Sequence, residues 1–223
     1  MLHPFPTDWR SMLVLMPHPD DPEYGMSAAV AKWTAAGKTV RYVMATHGEA
    51  GIAGMSPAET ASVREAEQRR SAEIVGVADV EFWDFPDGEL RDGDELRAKI
   101  TESITTVDPD VVVTIFGGPE WALGAPNQRD HIEFAAALRA AYEHLSHTPR
   151  LFANGPNGTH AETVDDFQGT AVESLAAQEK YLSVLDPDTP VTEQARKQVD
   201  MTTPPHPDFD GHRIVEFILE DRA

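Results

Sequence analysis

The chain has 223 residues, no cysteine, and 38 Asp and Glu against 18 Lys and Arg, for a net charge of −20. That balance argues against nucleic acid or an anionic membrane surface as a partner, because phosphate binders carry basic patches. Without cysteine there can be no disulfide, thiolate nucleophile or thiolate ligand, so any metal must be held by His, Asp or Glu.

The length suits one domain over residues 1–223, divided into an arm (1–10), a βα core (11–150) and a C-terminal segment (151–223) shaping a substrate pocket. No apolar run reaches transmembrane length and the start has no basic, apolar leader, so a cytoplasmic protein without a membrane partner is expected. A homo-oligomer is left open.

In the arm, Trp9 is expected to pack onto the body. Residues 12–16 (Met-Leu-Val-Leu-Met) read as a buried strand that ends in Pro17-His18-Pro19-Asp20-Asp21. The prolines on either side of His18 disfavour helix and predict an ordered loop at the carboxyl end of the strand, where ligands sit in open α/β sheets. Taken alone, this loop could equally serve to cap the next helix. A helix follows over 24–36, with Met26, Ala29, Val30 and Trp33 on one face and Gly37 ending it. A strand over 40–45 runs into Thr46-His47-Gly48-Glu49. Ser56-Pro57-Ala58-Glu59 has the pattern of a capping box opening a helix to about Val75, whose charges are expected to be mostly solvated.

A strand over 80–83 precedes Asp84-Phe85-Pro86-Asp87, and Leu96, Ile100, Ile104 and Val107 mark the next helix. Residues 110–116 form a buried strand, followed by a long Gly- and Pro-bearing loop to Arg129 of the kind that is usually functional. Trp121 in that loop can stack on a sugar or pin the loop. Asp130 is expected to N-cap a helix with Phe134, Leu138, Ala141 and Tyr142 inward. A strand over 151–153, a long helix over 167–185, a short helix over 192–199 and a final strand near 214–219 complete the chain. Alternation of strand and helix implies a mainly parallel sheet with right-handed crossovers.

In such a sheet the strand ends share one edge. His18, Asp20 and Asp21 therefore meet His47 and Glu49, Asp84 and Asp87, and Gln128, Asp130 and His131. Two ligands from the first loop and His131 from a distant helix start can hold Zn²⁺ or Fe²⁺, with Asp130 orienting an imidazole.

Pro17-His18-Pro19-Asp20-Asp21, Thr46-His47-Gly48-Glu49-Ala50-Gly51, Arg64-Glu65-Ala66-Glu67, Trp83-Asp84-Phe85-Pro86-Asp87-Gly88 and Asp130-His131 together resemble the LmbE-like (PIG-L type) deacetylase family over roughly residues 12–145. The resemblance implies a Rossmann-like three-layer α/β sandwich with a mainly parallel sheet, a C-terminal helix and an edge strand. It also implies a metal-dependent amidohydrolase, with Zn²⁺ the expected metal and Fe²⁺ or another divalent ion the alternative. The substrate would be an N-acetylglucosamine-type amino sugar, deacetylated. His18, Asp21 and His131 would be the metal ligands and Asp20 the general base. Arg64 and Asp87, with His47 and Glu49, would contact substrate. Where the family commonly has a second histidine before the third ligand, this chain has Gln128. Gln128 is then the oxyanion donor, or His160 (first candidate) or His47 (second) takes the place. An amidase acting on a larger thiol-sugar conjugate and a non-catalytic sugar-binding relative are the competing readings.

Overall fold

A computed structural model describes residues 1–220. Its centre is the apolar run predicted first: β2 (Ser11–Met16) lies between β3 (Thr39–Met44) and β5 (Val111–Ile115), parallel to both. With β1 (His3–Pro4), β4 (Asp79–Phe82), β8 (Arg150–Asn154), β9 (His160–Thr163) and β10 (Ile214–Leu219), these strands build an eight-stranded sheet in the order β1-β9-β10-β8-β5-β2-β3-β4. Only β10 runs antiparallel to its neighbours.

The strands are buried on both faces, so they read as continuous apolar runs, yet the period of two still sorts the side chains. Met12, Val14 and Met16 point into one layer with Val30 of α2 (Ser27–Ala35), Ala72 of α3 (Pro57–Ile74), Leu175 of α6 (Gln168–Ala176) and Val199 of α8 (Val191–Thr202). Leu13 and Leu15 point into the other, with Ile100 of α4 (Asp94–Val107) and Phe134 of α5 (Arg129–Glu143). The result is a three-layer sandwich. Among the described residues no helix is long and apolar enough to cross a membrane.

The elements depart from the sequence reading in four places. The arm is not irregular throughout: β1 joins the sheet beside β9, and Phe5 and Trp9 are buried in the core. The final strand is not the edge, because β9 and β1 lie outside it. The helix expected over 24–36 is two, α1 (Asp21–Gly25) and α2, broken at Met26. A Cβ on Gly25 would stand 2.1 Å from Asn154 Oδ1, so the close approach of that side chain requires glycine there. The helix expected over 167–185 splits into α6 and α7 (Glu179–Leu185), with Gln178 between them. Glu67 of α3 accepts the Lys180 N–H (2.5 Å) and the Tyr181 N–H (3.4 Å), supplying a carboxylate to the new helix start. In the long loop, β6 (Glu120–Ala122) and β7 (Ala125–Pro126) form a small hairpin.

Candidate metal centre

The parallel strands bring the loop after β2 against the start of α5. His18, Asp21 and His131 are all buried, and their ligating atoms lie within 4.8 Å of one another. Asp21 Oδ1 is 3.2 Å from His131 Nε2, and Asp21 Oδ2 is 3.5 Å from His18 Nδ1 while accepting the His18 backbone N–H at 2.8 Å.

Each imidazole is oriented from behind. Asn127 Oδ1 sits 3.0 Å from His131 Nδ1, while the Asn127 amide N–H groups donate to the carbonyls of Phe116 and Gly118. That bond fixes the proton on Nδ1 and turns the Nε2 lone pair inward. His18 Nε2 lies 3.2 Å from both Asp130 Oδ2 and Asp87 Oδ1. Asp130 was expected to cap α5, but the N-cap is Gln128. From the first turn of the helix Asp130 instead accepts from His18 and from the Gly88 N–H (2.8 Å).

These residues fit a divalent metal. His131 Nε2 is buried and has no hydrogen-bond partner, although Asp21 is beside it. Tetrahedral ligands at ordinary zinc distances stand roughly 3.3 Å apart, close to the spacing found here. The charges agree. Burial lowers the His18 pKa, but Asp130, Asp21 and Asp87 outweigh it and hold the imidazole well above its ordinary value. Burial raises Asp21, yet His131 and His18 hold its carboxyl well below the ordinary range. The cluster favours added positive charge, which a divalent ion supplies.

Asp20 is the N-cap of α1, but its side chain makes no capping bond. Its backbone is left-handed, φ 77°, a conformation that costs a non-glycine residue about 1 kcal/mol. The carboxylate stands 3.2 Å from Arg64 Nη2, and burial pushes it up to about 7 against the pull of Arg64.

Arg64 is 3 % exposed, donates to the Pro19 carbonyl at 2.5 Å, and lies 3.9 Å over the Tyr181 ring. It braces the Pro19–Asp20 corner. The expectation that the α3 charges are mostly solvated fails at Arg64 and Glu67, both buried, because the C-terminal helices cover this face. Glu49 and Asp87 lace two loops together: Glu49 Oε1 accepts the Asp87 N–H at 2.8 Å, and Asp87 Oδ2 accepts the Ala50 N–H at 2.9 Å. His47 is held between Glu65 (2.7 Å) and Asp84 (3.1 Å), stacked on Phe82. Trp121 packs edge-on to His131 and against Phe116, which pins the hairpin.

His160 is not brought to the cluster. It opens β9, with three strands between it and β2, roughly 19 Å at ordinary strand spacing, and packs on the rings of His3 and Phe152. Its register, through Phe217 and Asn154 to Ile115, sets it level with the carboxyl ends of the core strands, so it is the intervening strands that separate it from the cluster. Gln128 is exposed at the start of α5, three residues before His131.

A surface concavity of about 650 Å³ near Trp83 and Lys99 contains none of the cluster.

A model of the GlcNAc-PI de-N-acetylase (PIG-L) family matches residues 13–142, which include every member of the cluster. The chain belongs to the PIG-L family. This PIG-L member is 37 % identical over 108 residues to diacetylchitobiose deacetylase of Thermococcus kodakarensis, covering 48 % of this chain and 40 % of that protein. It is 27 % identical over 221 residues to the 1D-myo-inositol 2-acetamido-2-deoxy-alpha-D-glucopyranoside deacetylase of Kineococcus radiotolerans, covering 84 % and 55 %. The chain spans about half the length of the curated relatives it matches. The N,N'-diacetylchitobiose deacetylase of Pyrococcus horikoshii superposes with a TM-score of 0.77 at 18 % identity, over 96 % of this chain and 84 % of that one, a likeness of fold.

Sequence reasoning missed Asn127, Gln68 and Gln178. Asn127 had a signal, one helical turn before His131. Gln178 lies on the apolar stripe of residues 167–185, which places it inward but not on Gln68; Gln68 had no signal, since its partners are distant in sequence.

Proposed function

We propose that this chain is a metal-dependent amidohydrolase that removes the acetyl group from an N-acetylglucosamine-type amino sugar. The observation that carries the reading is the buried, unbonded Nε2 of His131 facing Asp21 and His18, beside an Asp20 carboxylate left out of its own helix cap. The deacetylase relatives, named for diacetylchitobiose and for an N-acetylated glucosaminyl inositol, support the substrate class.

His18, Asp21 and His131 would hold the ion, and the two-nitrogen, one-oxygen set suits Zn²⁺, with Fe²⁺ as the alternative. Such an ion, when bound, lowers the pKa of water to about 7 and polarises the amide oxygen. Asp20 takes the proton from the attacking water and returns it to the leaving amine. Arg64 keeps that carboxylate in place. Asp130 and Asn127 hold the two imidazoles in the tautomers that leave their lone pairs for the ion. Gln128, at the rim, serves as a neutral hydrogen-bond donor to the acyl oxygen.

The test is acetate release by the zinc-loaded chain from diacetylchitobiose and from glucosaminyl inositol and malate conjugates bearing the N-acetyl group. Release is expected from at least one, and chelation should stop it. Stoichiometric metal with no acetate from any of these compounds would reject the substrate class. Absence of metal at micromolar zinc would reject the site.

A further inference from the structure

Helix α3 crosses beneath the Pro19-Asp20 corner and meets it with two side chains one turn apart, Arg64 and Gln68. Gln68 is completely buried, and its Oε1 accepts the Asp20 backbone N–H at 2.6 Å. A backbone N–H can only donate, so this contact fixes which end of the amide faces Asp20. The Gln68 Nε2 must then point away, and it lies 3.2 Å from Glu23 Oε1, donating to it. The same Oε1 accepts from Gln178 Nε2 at 3.2 Å, and Gln178 also donates to Ser71 Oγ at 3.1 Å. Burial pushes the Glu23 carboxyl up to about 8, against the Gln68 hydrogen bond.

Three features make this more than core filling. Asp20 occupies a left-handed backbone, which a non-glycine residue abandons unless its surroundings hold it. The two clamps grip opposite sides of one peptide link: Arg64 takes the Pro19 carbonyl and Gln68 takes the Asp20 N–H. Gln68 in turn is oriented by Gln178, which lies between α6 and α7, beyond the residues matched by the family model.

We infer that Gln68 is a positioning residue that holds the Asp20 peptide in its strained conformation, and that Gln178 locks the Gln68 amide for that task. The inference rests on the base role proposed for Asp20. A carboxylate displaced by about 1 Å can lose roughly 10²-fold in rate, so the effect should appear in kcat and not in metal retention.

Gln68→Met keeps the length and volume of the side chain and removes both amide groups. In the full-length zinc-loaded protein, kcat on whichever N-acetyl sugar the parent turns over should fall about 10- to 100-fold, with KM within twofold and zinc still 1:1. In the metal-free protein, hydrogen exchange at the Asp20 amide should accelerate at least about fivefold, while the Val14 amide stays protected. A double-mutant cycle with Asp20→Asn separates positioning from general packing, because Gln68→Met should add little once the base is gone. A kcat within twofold of the parent, an unchanged Asp20 exchange rate, or an equal loss in the Asp20→Asn background would overturn the inference. If Gln68→Met does not fold, Gln68→Glu keeps an acceptor at full reach and Gln68→Asn falls a methylene short. Glu retaining more activity than Asn supports the clamp, and the reverse order refutes it. If Asp20→Asn itself leaves kcat intact, the base role fails and the inference with it. A silent Gln68→Met beside an impaired Asp20→Asn sinks the positioning role alone.

Discussion

Glu23→Gln should stabilise the metal-free protein at alkaline pH. Glu23 is completely buried; its Oε1 accepts from Gln68 at 3.2 Å, and its Oε2 is buried with no partner. Burial raises its pKa from 4.5 to about 8. Between those two values the folded state keeps a proton that the unfolded state has released. Stability contributed by the neutral acid is therefore fully present below pH 4.5, falls as pH rises, and is gone above pH 8. At 1.36 kcal/mol per pH unit the window corresponds to an upper bound of about 4 to 5 kcal/mol, and relaxation around the buried oxygen reduces what is measured. Glutamine is a near-isostere with no charge to bury, so the share of the decline that Glu23 causes should be missing from the variant, while Asp20 and His18 act alike in both proteins. Urea melts of parent and variant without metal, at intervals from pH 5 to 9, measure the difference directly. The variant should be close to the parent near pH 5 and more stable by a few kcal/mol at pH 9. Parallel pH curves would refute the reasoning and mean that Glu23 is ionised, or solvated, in the folded state.

Other outcomes follow from the same geometry. His131→Ala should abolish zinc retention, read by mass spectrometry of the dialysed protein, with the thermal transition of the metal-free form still present; tight zinc binding would remove His131 as a ligand. Asp130→Asn should weaken zinc by about 10- to 100-fold in a competition titration, the usual scale for losing an oriented carboxylate behind a ligand histidine. An unchanged Kd would show that Asp87 alone orients His18. Gln128→Ala should lower kcat roughly 10²- to 10³-fold and leave the shape of the pH–rate profile alone, since an amide does not titrate. His160→Ala, with three strands between it and β2, should leave both kcat and profile at parental values, and a lost limb near neutral pH would contradict its placement.

The convergence of His18, Asp21 and His131 was legible in sequence because it is carried by local patterns. The apolar run before His18, the prolines on either side of it and the helix start at His131 state what each segment does on its own. Alternation of strand and helix is enough to set their ends on one edge, which is why His18, Asp21 and His131 converge from positions over a hundred residues apart. The boundaries of α3 were legible for the same reason: Ser56 and Glu59 form the capping box within four residues.

What sequence could not decide is which distant group each polar side chain meets. Arg64 and Glu67 read as solvated helix charges, and Gln68 as an unremarked polar residue. All three are buried because α6 and α7 pack over α3, a contact between segments a hundred residues apart that no local period encodes. His160 was misplaced because β9 pairs with β10, and pairing partners in a sheet depend on the closing of the whole chain. The break at Gln178 arises in the same way: Glu67, from α3, accepts the backbone N–H groups that a continuous helix would have satisfied within itself. Periodicity in the sequence determined which residues face the core and which loops reach the sheet edge. The burial of polar partners by distant helices, set only in the folded chain, decided that the Pro19–Asp20 link is held by Arg64 and Gln68.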